Sequence, residues 1–197
     1  AAEEAPAQPE PSRKPWRTPQ FLQDRPLTGR EKGSATHLFM QFVRYESCTT
    51  REGIRQELVR MQAEKFLTPR QAEAVDAEKI LALFSSELGN RILHADSLRR
   101  EFKFSILADA AAYDPAAVGE QVMLQGVVDC FWQEPDGIVI LDFKTDYIHG
   151  DLQQKAARYA PQLRAYAQAL SRIYQCPVKK TVLYFFSAGR EVEIDPE

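Results

Sequence analysis

Paired cysteines, long apolar runs, a phosphate-loop motif and a basic field are all missing from this chain, and each absence removes a class of function. Its three cysteines, Cys48, Cys130 and Cys176, stand far apart with no C-x-x-C pair. That argues against a disulfide framework and against a four-cysteine zinc or iron–sulfur site. No run approaches the ~18 apolar residues of a membrane span, and the acidic, proline-rich start is unlike a signal peptide. No membrane association is expected, and a reducing cytoplasm is the expected setting. No G-x-x-x-x-G-K-[ST] loop is present, so no nucleotide-driven motor is expected within these residues. The net charge of −3 excludes a passive, charge-driven nucleic-acid binder. It does not exclude a nuclease, whose site faces phosphate with recruited divalent cations.

What is there suits one globular domain: 197 residues, 44% of them hydrophobic, can enclose a single core. Six of the twelve prolines fall in residues 1–32, a stretch that reads as an extended linker or tether. Trp16, Phe21 and Leu22 are available to pin its second half onto a domain spanning 33–197. From Gly33 the pattern turns helical, with Leu38, Phe39, Phe42 and Val43 on one side. A second helix is expected to start at the cap Thr50, and a third at Thr68 with Pro69 in its first turn. A further helix over about 76–88 would bury Ile80, Leu81, Phe84 and Leu88, closed by Gly89 in the left-handed conformation. The second half changes period. Phe102, Phe104 and Ile106 alternate as in a half-buried strand, and 121–133 and 138–145 follow as strands about the turn EPDG. A helical stretch over about 151–175 restarts at Pro161, and KTVLYFFSA reads as a buried strand. The order predicts an α/β fold: a small mixed sheet flanked by helices, with a helical N-terminal half.

Each strand of the 121–145 hairpin carries one acid in an apolar stretch, Asp129 and Asp142. Symmetric closure about Pro135–Asp136 sets them opposite each other, with Cβ atoms about 4.5–5.5 Å apart. Two carboxylates so placed repel and lose hydration, at a cost of several kcal/mol. A divalent cation between them reverses the sign of that argument, and their hard oxygens suit Mg²⁺. Lys144 shares a face with Asp142 because side chains repeat every two residues. It would stabilise a phosphate transition state or orient the attacking water.

GVVD thirteen residues before DFKT resembles the two-strand core of PD-(D/E)XK nucleases, a restriction-endonuclease-like fold. Gly33 and His37 match a G-x-x-x-H helix, and Gln162 and Tyr166 match a Q-x-x-x-Y helix, so the chain is most similar to the RecB-like branch. Within it, the wording GVVDCFW…PDGIVILDFKTD resembles the C-terminal nuclease domains of AddA-type helicase–nucleases over about residues 15–195. The resemblance implies that His37, Asp129, Asp142 and the backbone carbonyl of Phe143 bind a metal. That metal is expected to be Mg²⁺, with Mn²⁺ or Ca²⁺ able to substitute, and Lys144 is the implied catalytic lysine. Gln162 and Tyr166 would contact DNA backbone or buttress the site, and Thr145 would close the strand or bond a phosphate. Glu101 receives no role. The four cysteines that hold an iron–sulfur cluster in related nucleases are lacking, so none is expected. The implied function is Mg²⁺-dependent hydrolysis of single-stranded DNA, the 3′-ended strand, in double-strand-break repair and recombination. The implied partners are DNA, a helicase domain of the parent chain and an AddB-type protein. The alternatives are a silent DNA- or partner-binding module and a free-standing restriction or junction-resolving nuclease. The basic residues Lys155, Arg158 and Arg164, with Tyr166 as a stacking platform, would form the path for the strand.

Overall fold

The second half of the chain builds a five-stranded sheet, and the first half supplies the helices that cover one of its faces. The computed structural model describes residues 25–196; most of the tether reading, with Trp16, Phe21 and Leu22, lies outside the described residues. In chain order come α1 (Gly29–Phe42), a 3-10 turn (Tyr45–Thr49), α2 (Arg51–Ala63), α3 (Pro69–Ala74), α4 (Ala77–Phe84) and α5 (Glu87–Leu93). Then follow β1 (Arg99–Asp109), β2 (Gln121–Glu134), β3 (Gly137–Lys144), α6 (Leu152–Ala157), α7 (Ala160–Tyr174), β4 (Val178–Phe185) and β5 (Arg190–Ile194). The strands lie side by side in sequence order. Only β3 and β4 run parallel, which requires a long crossover, and α6 and α7 provide it.

Two hydrophobic cores result, one on each face. Phe39, Met40, Ile54, Met61 and Leu83 from α1–α4 pack with Cys130, Trp132, Val139, Leu141 and Phe143. On the other face Leu163, Tyr166 and Leu170 of α7 pack with Phe104, Val128, Phe131, Ile138 and Ile140. β3 has cores on both sides and is buried almost throughout, which is why it reads as an unbroken apolar run around Asp142.

Three expectations need correction. The first helix starts at Gly29, not Gly33, because Thr28 and Glu31 form a reciprocal capping box. The helix assigned to 76–88 is two helices. Ser86 accepts a hydrogen bond from the Gly89 N–H and opens α5, so Gly89 lies inside a helix rather than at a left-handed end. A Cβ there would strike the Leu83 carbonyl oxygen and Phe84, and the glycine permits that close approach. Finally, β5 has no counterpart in the sequence reading. It is an edge strand in which Val192 alone is buried, and its charges mask the strand pattern while guarding the edge.

Candidate active site

The β2–β3 hairpin closes through Pro135 and Asp136, pairing Glu134 with Gly137 and, at its far end, Cys130 with Leu141. That is the symmetric register read from the sequence, and its next pair would be Asp129 with Asp142. The ladder stops there instead. The Phe143 N–H donates 2.9 Å to Asp129 Oδ2, a side chain standing in for a backbone carbonyl. Val128 and Phe131, three residues apart, both enter the α7-side core, while Cys130 and Trp132 enter the other. Side-chain alternation therefore slips by one residue at Asp129. On β1 the matching irregularity is Glu101, at φ 50° between the pairs Arg100–Cys130 and Phe102–Val128. A left-handed non-glycine residue within a strand costs about 1–3 kcal/mol, and such strain gathers at functional sites. Here it opens the sheet where the acids lie.

Helix α1 brings His37 to that opening. Arg100, beside Glu101, donates to the carbonyls of Met40 and Val43 at 3.1 and 2.7 Å and lies over the Tyr45 ring. This fastens the C-terminal end of α1 to β1. One turn before His37, a Cβ on Gly33 would press on Thr145 Oγ1, so the glycine lets α1 settle against the end of β3. His37 Nδ1 then stands 3.4 Å from Asp129 Oδ2. Burial disfavours the imidazolium, but the hydrogen bond to Asp129 and the field of Asp142 outweigh it, and the net effect raises the His37 pKa.

From the other face come Lys144 and α7. Asp142 is 2% exposed; burial first and Asp129 second push its pKa up to about 6. Lys144 Nζ lies 2.6 Å from Asp142 Oδ2, 3.1 Å from Gln162 Oε1 and 4.1 Å from the centre of the Tyr159 ring. Gln162 Nε2 donates to the Tyr166 hydroxyl at 2.6 Å and lies 3.4 Å from Asp142 Oδ1. Tyr166 is buried, edge-on to Phe104, and burial raises its pKa to about 12. Its ring is closed to a stacking base, and it buttresses Gln162. Lys155 is also committed elsewhere, donating to the Tyr147 carbonyl at 3.0 Å.

Two residues without an assigned role join this group. Glu101 is half-buried beside Asp129 and His37; burial and then the Asp129 charge raise its pKa. Tyr159 lies beneath the Lys144 ammonium and donates from its hydroxyl to Asp146. One acid in a strand and one aromatic in the turn between α6 and α7 carry no periodic signal, although Glu101 next to Arg100 in an apolar alternation is a break that could be noticed.

The donor set fits a hard divalent cation. Asp142 is buried, with half-buried Asp129 close enough to act on its charge, and Asp142 Oδ2, for all its nearness to Lys144, accepts no well-directed hydrogen bond. Among the described residues no three His, Cys, Asp or Glu side chains are gathered at coordinating distance, and Lys144 supplies the charge that Asp142 meets. An opened strand pair thus brings together two acids, a lysine two residues on, and a histidine and a glutamine from helices on opposite faces.

The chain belongs to the PD-(D/E)XK nuclease superfamily, whose family model matches residues 13–196. Among its relatives, the AddA protein of the ATP-dependent helicase/nuclease of Bacillus cereus (strain Q1) is 41% identical over 195 residues, covering 93% of this chain and 16% of that protein. The protein of the same name from Clostridium novyi (strain NT) is 39% identical over 183 residues, covering 89% of this chain and 15% of that one. The chain thus spans about a sixth of the length of these relatives, and the resemblance to AddA-type nuclease domains holds. No helix among the described residues is long and apolar enough to cross a membrane.

Proposed function

We propose that this chain is a Mg²⁺-dependent DNA nuclease that hydrolyses single strands, the 3′-ended one by preference. It would act as the nuclease module of a helicase–nuclease in double-strand-break repair and recombination, with an AddB-type partner. One observation carries the reading: His37, Asp129, Asp142 and Lys144, from three separate elements, meet where the β1–β2–β3 ladders are interrupted. When bound by His37, Asp129, Asp142 and the Phe143 carbonyl, Mg²⁺ (or Mn²⁺ or Ca²⁺ in its place) would polarise a phosphate oxygen and acidify water. Lys144, held by Gln162 and faced by the Tyr159 ring, stabilises the charge that develops on the phosphate and orients the attacking water. Gln162 ties Lys144 to Asp142, and Tyr166 fixes Gln162, so the ammonium keeps its aim. Thr145, just past β3, would close the strand or bond a phosphate of the bound DNA. The test is end-labelled single-stranded DNA incubated with the chain in Mg²⁺ and in EDTA. Cleavage confined to Mg²⁺ and lost in Asp142→Asn is the expected result; cleavage in EDTA, or none under any divalent cation, overturns the reading.

A further inference from the structure

A groove of about 940 Å³ runs from the site outward between α1, the α3–α4 region and the loop after β3. His37 and Glu101 stand at its inner end, so it reaches the acids from the α1 side; Arg158 and Arg164 do not line it, and Lys155 meets it by holding its Asp146–Tyr147 loop. Its size belongs to a built ligand site rather than a single ion contact. Leu38 and Ile80 contribute an apolar floor, and Arg30, Lys32 and Lys79 line its walls. Arg30 and Lys32 are exposed and form no ion pair among the described residues. Lys79 is shared between Asp76 at 3.4 Å and the Tyr147 ring at 6.0 Å. Two wall acids have partners of their own: Asp76 caps α4, and Asp146 accepts from the Tyr159 hydroxyl.

Tyr147 gives the groove its character. Its side chain leaves the residue 70% exposed, yet its backbone carbonyl is held by Lys155 Nζ at 3.0 Å and the preceding carbonyl by the Ser187 hydroxyl at 2.6 Å. A large ring presented to solvent from an anchored loop, with cations around it and an apolar floor below, suits an unpaired nucleobase. A duplex keeps its base faces stacked and offers such a ring nothing.

Resting on the nuclease reading above, we infer that this groove holds single-stranded DNA on its way to the acids, with a base stacked on Tyr147 and phosphates met by Arg30, Lys32 and Lys79. The experiment is fluorescence anisotropy of the whole chain with a labelled oligothymidylate, the matching duplex and an abasic strand, all in EDTA, and cleavage of the same oligothymidylate in Mg²⁺. Tyr147→Ala should weaken oligothymidylate binding about tenfold, with Tyr147→Trp restoring it. Neither change should alter binding of the duplex or the abasic strand. Combined Arg30→Ala and Lys79→Ala should weaken the abasic strand as much as the normal one. If wild type binds and cuts oligothymidylate but Tyr147→Ala does both equally well, the groove assignment is wrong and the nuclease reading stands. If wild type neither binds nor cuts it, both fall.

Discussion

Lys144 gathers three kinds of contact around one ammonium: the Asp142 carboxylate, the Gln162 amide oxygen and the Tyr159 ring. A residue that only balanced Asp142 would not need the other two. Lys144→Ala should therefore lower Mg²⁺-dependent cleavage by about a hundredfold or more. Its far-UV circular dichroism should match wild type, and divalent-cation binding by calorimetry should persist; near-normal turnover would reduce Lys144 to a structural ion pair. Tyr166→Phe is a subtler test. It removes the hydroxyl that holds Gln162, so cleavage should fall by about three- to tenfold through turnover rather than through DNA affinity, because buried Tyr166 cannot touch the strand. At this scale the site was legible where chemistry imposes spacing. Asp129 and Asp142 mirror each other across a two-residue turn, and Lys144 follows at strand period. Glu101 gave only a break in the alternation and Tyr159 gave no signal, because the roles of a left-handed residue inside a strand and of a ring beneath a lysine come from three-dimensional context.

Among the elements, the hairpin end remote from the site is clasped by Glu134. Hydrogen bonds from Lys179, Arg91 and the Trp132 indole hold its pKa down at about 2, with the carboxylate 2.6 Å from Lys179 and 2.9 Å from Arg91. A depressed carboxylate contributes stability that is complete above its unfolded value near 4.5 and disappears as pH falls toward 2. Glu134→Gln should cost about 1 kcal/mol at pH 7 after allowance for solvent screening. The gap between variant and wild type in urea midpoint should shrink steadily below pH 4.5. Gly89→Ala should cost about 1–3 kcal/mol by overpacking α5 against the end of α4, read from the same denaturation curves. A neutral substitution would show that the two helices can separate. Most elements were legible because caps and periods announce them: Thr50, Thr68–Pro69 and the EPDG turn each do. The break between α4 and α5 was hidden because the apolar spacing of Ile80, Phe84 and Leu88 runs across it. β5 was hidden because its charges suit an edge.

Taken as a whole, the molecule carries net negative charge yet offers a strand few cations. Three wall cations imply a salt dependence of log affinity near −2 for a single strand, by the usual slope of about −0.7 per phosphate contact. Binding by the chain alone should therefore be weak, fade from 50 to 200 mM salt, and ignore base sequence. Attachment to a motor that delivers the strand should raise the cleavage rate through local concentration; sequence-selective, salt-insensitive cutting by the chain alone would speak for a restriction-type enzyme instead. The two-residue turn at Pro135–Asp136 has a bearing on how such a chain can change over time. From Gly137 to Asp142 is about 17 Å along an extended strand, yet the turn decides which β3 residue arrives opposite Asp129. A single inserted or deleted codon there would bring Leu141 or Phe143 to the opening and turn the acid toward the wrong core. Surface turns ordinarily absorb length variation freely. In this lineage the turn should vary in letter but not in length, a reading frame kept by the chemistry at the far end of the strand.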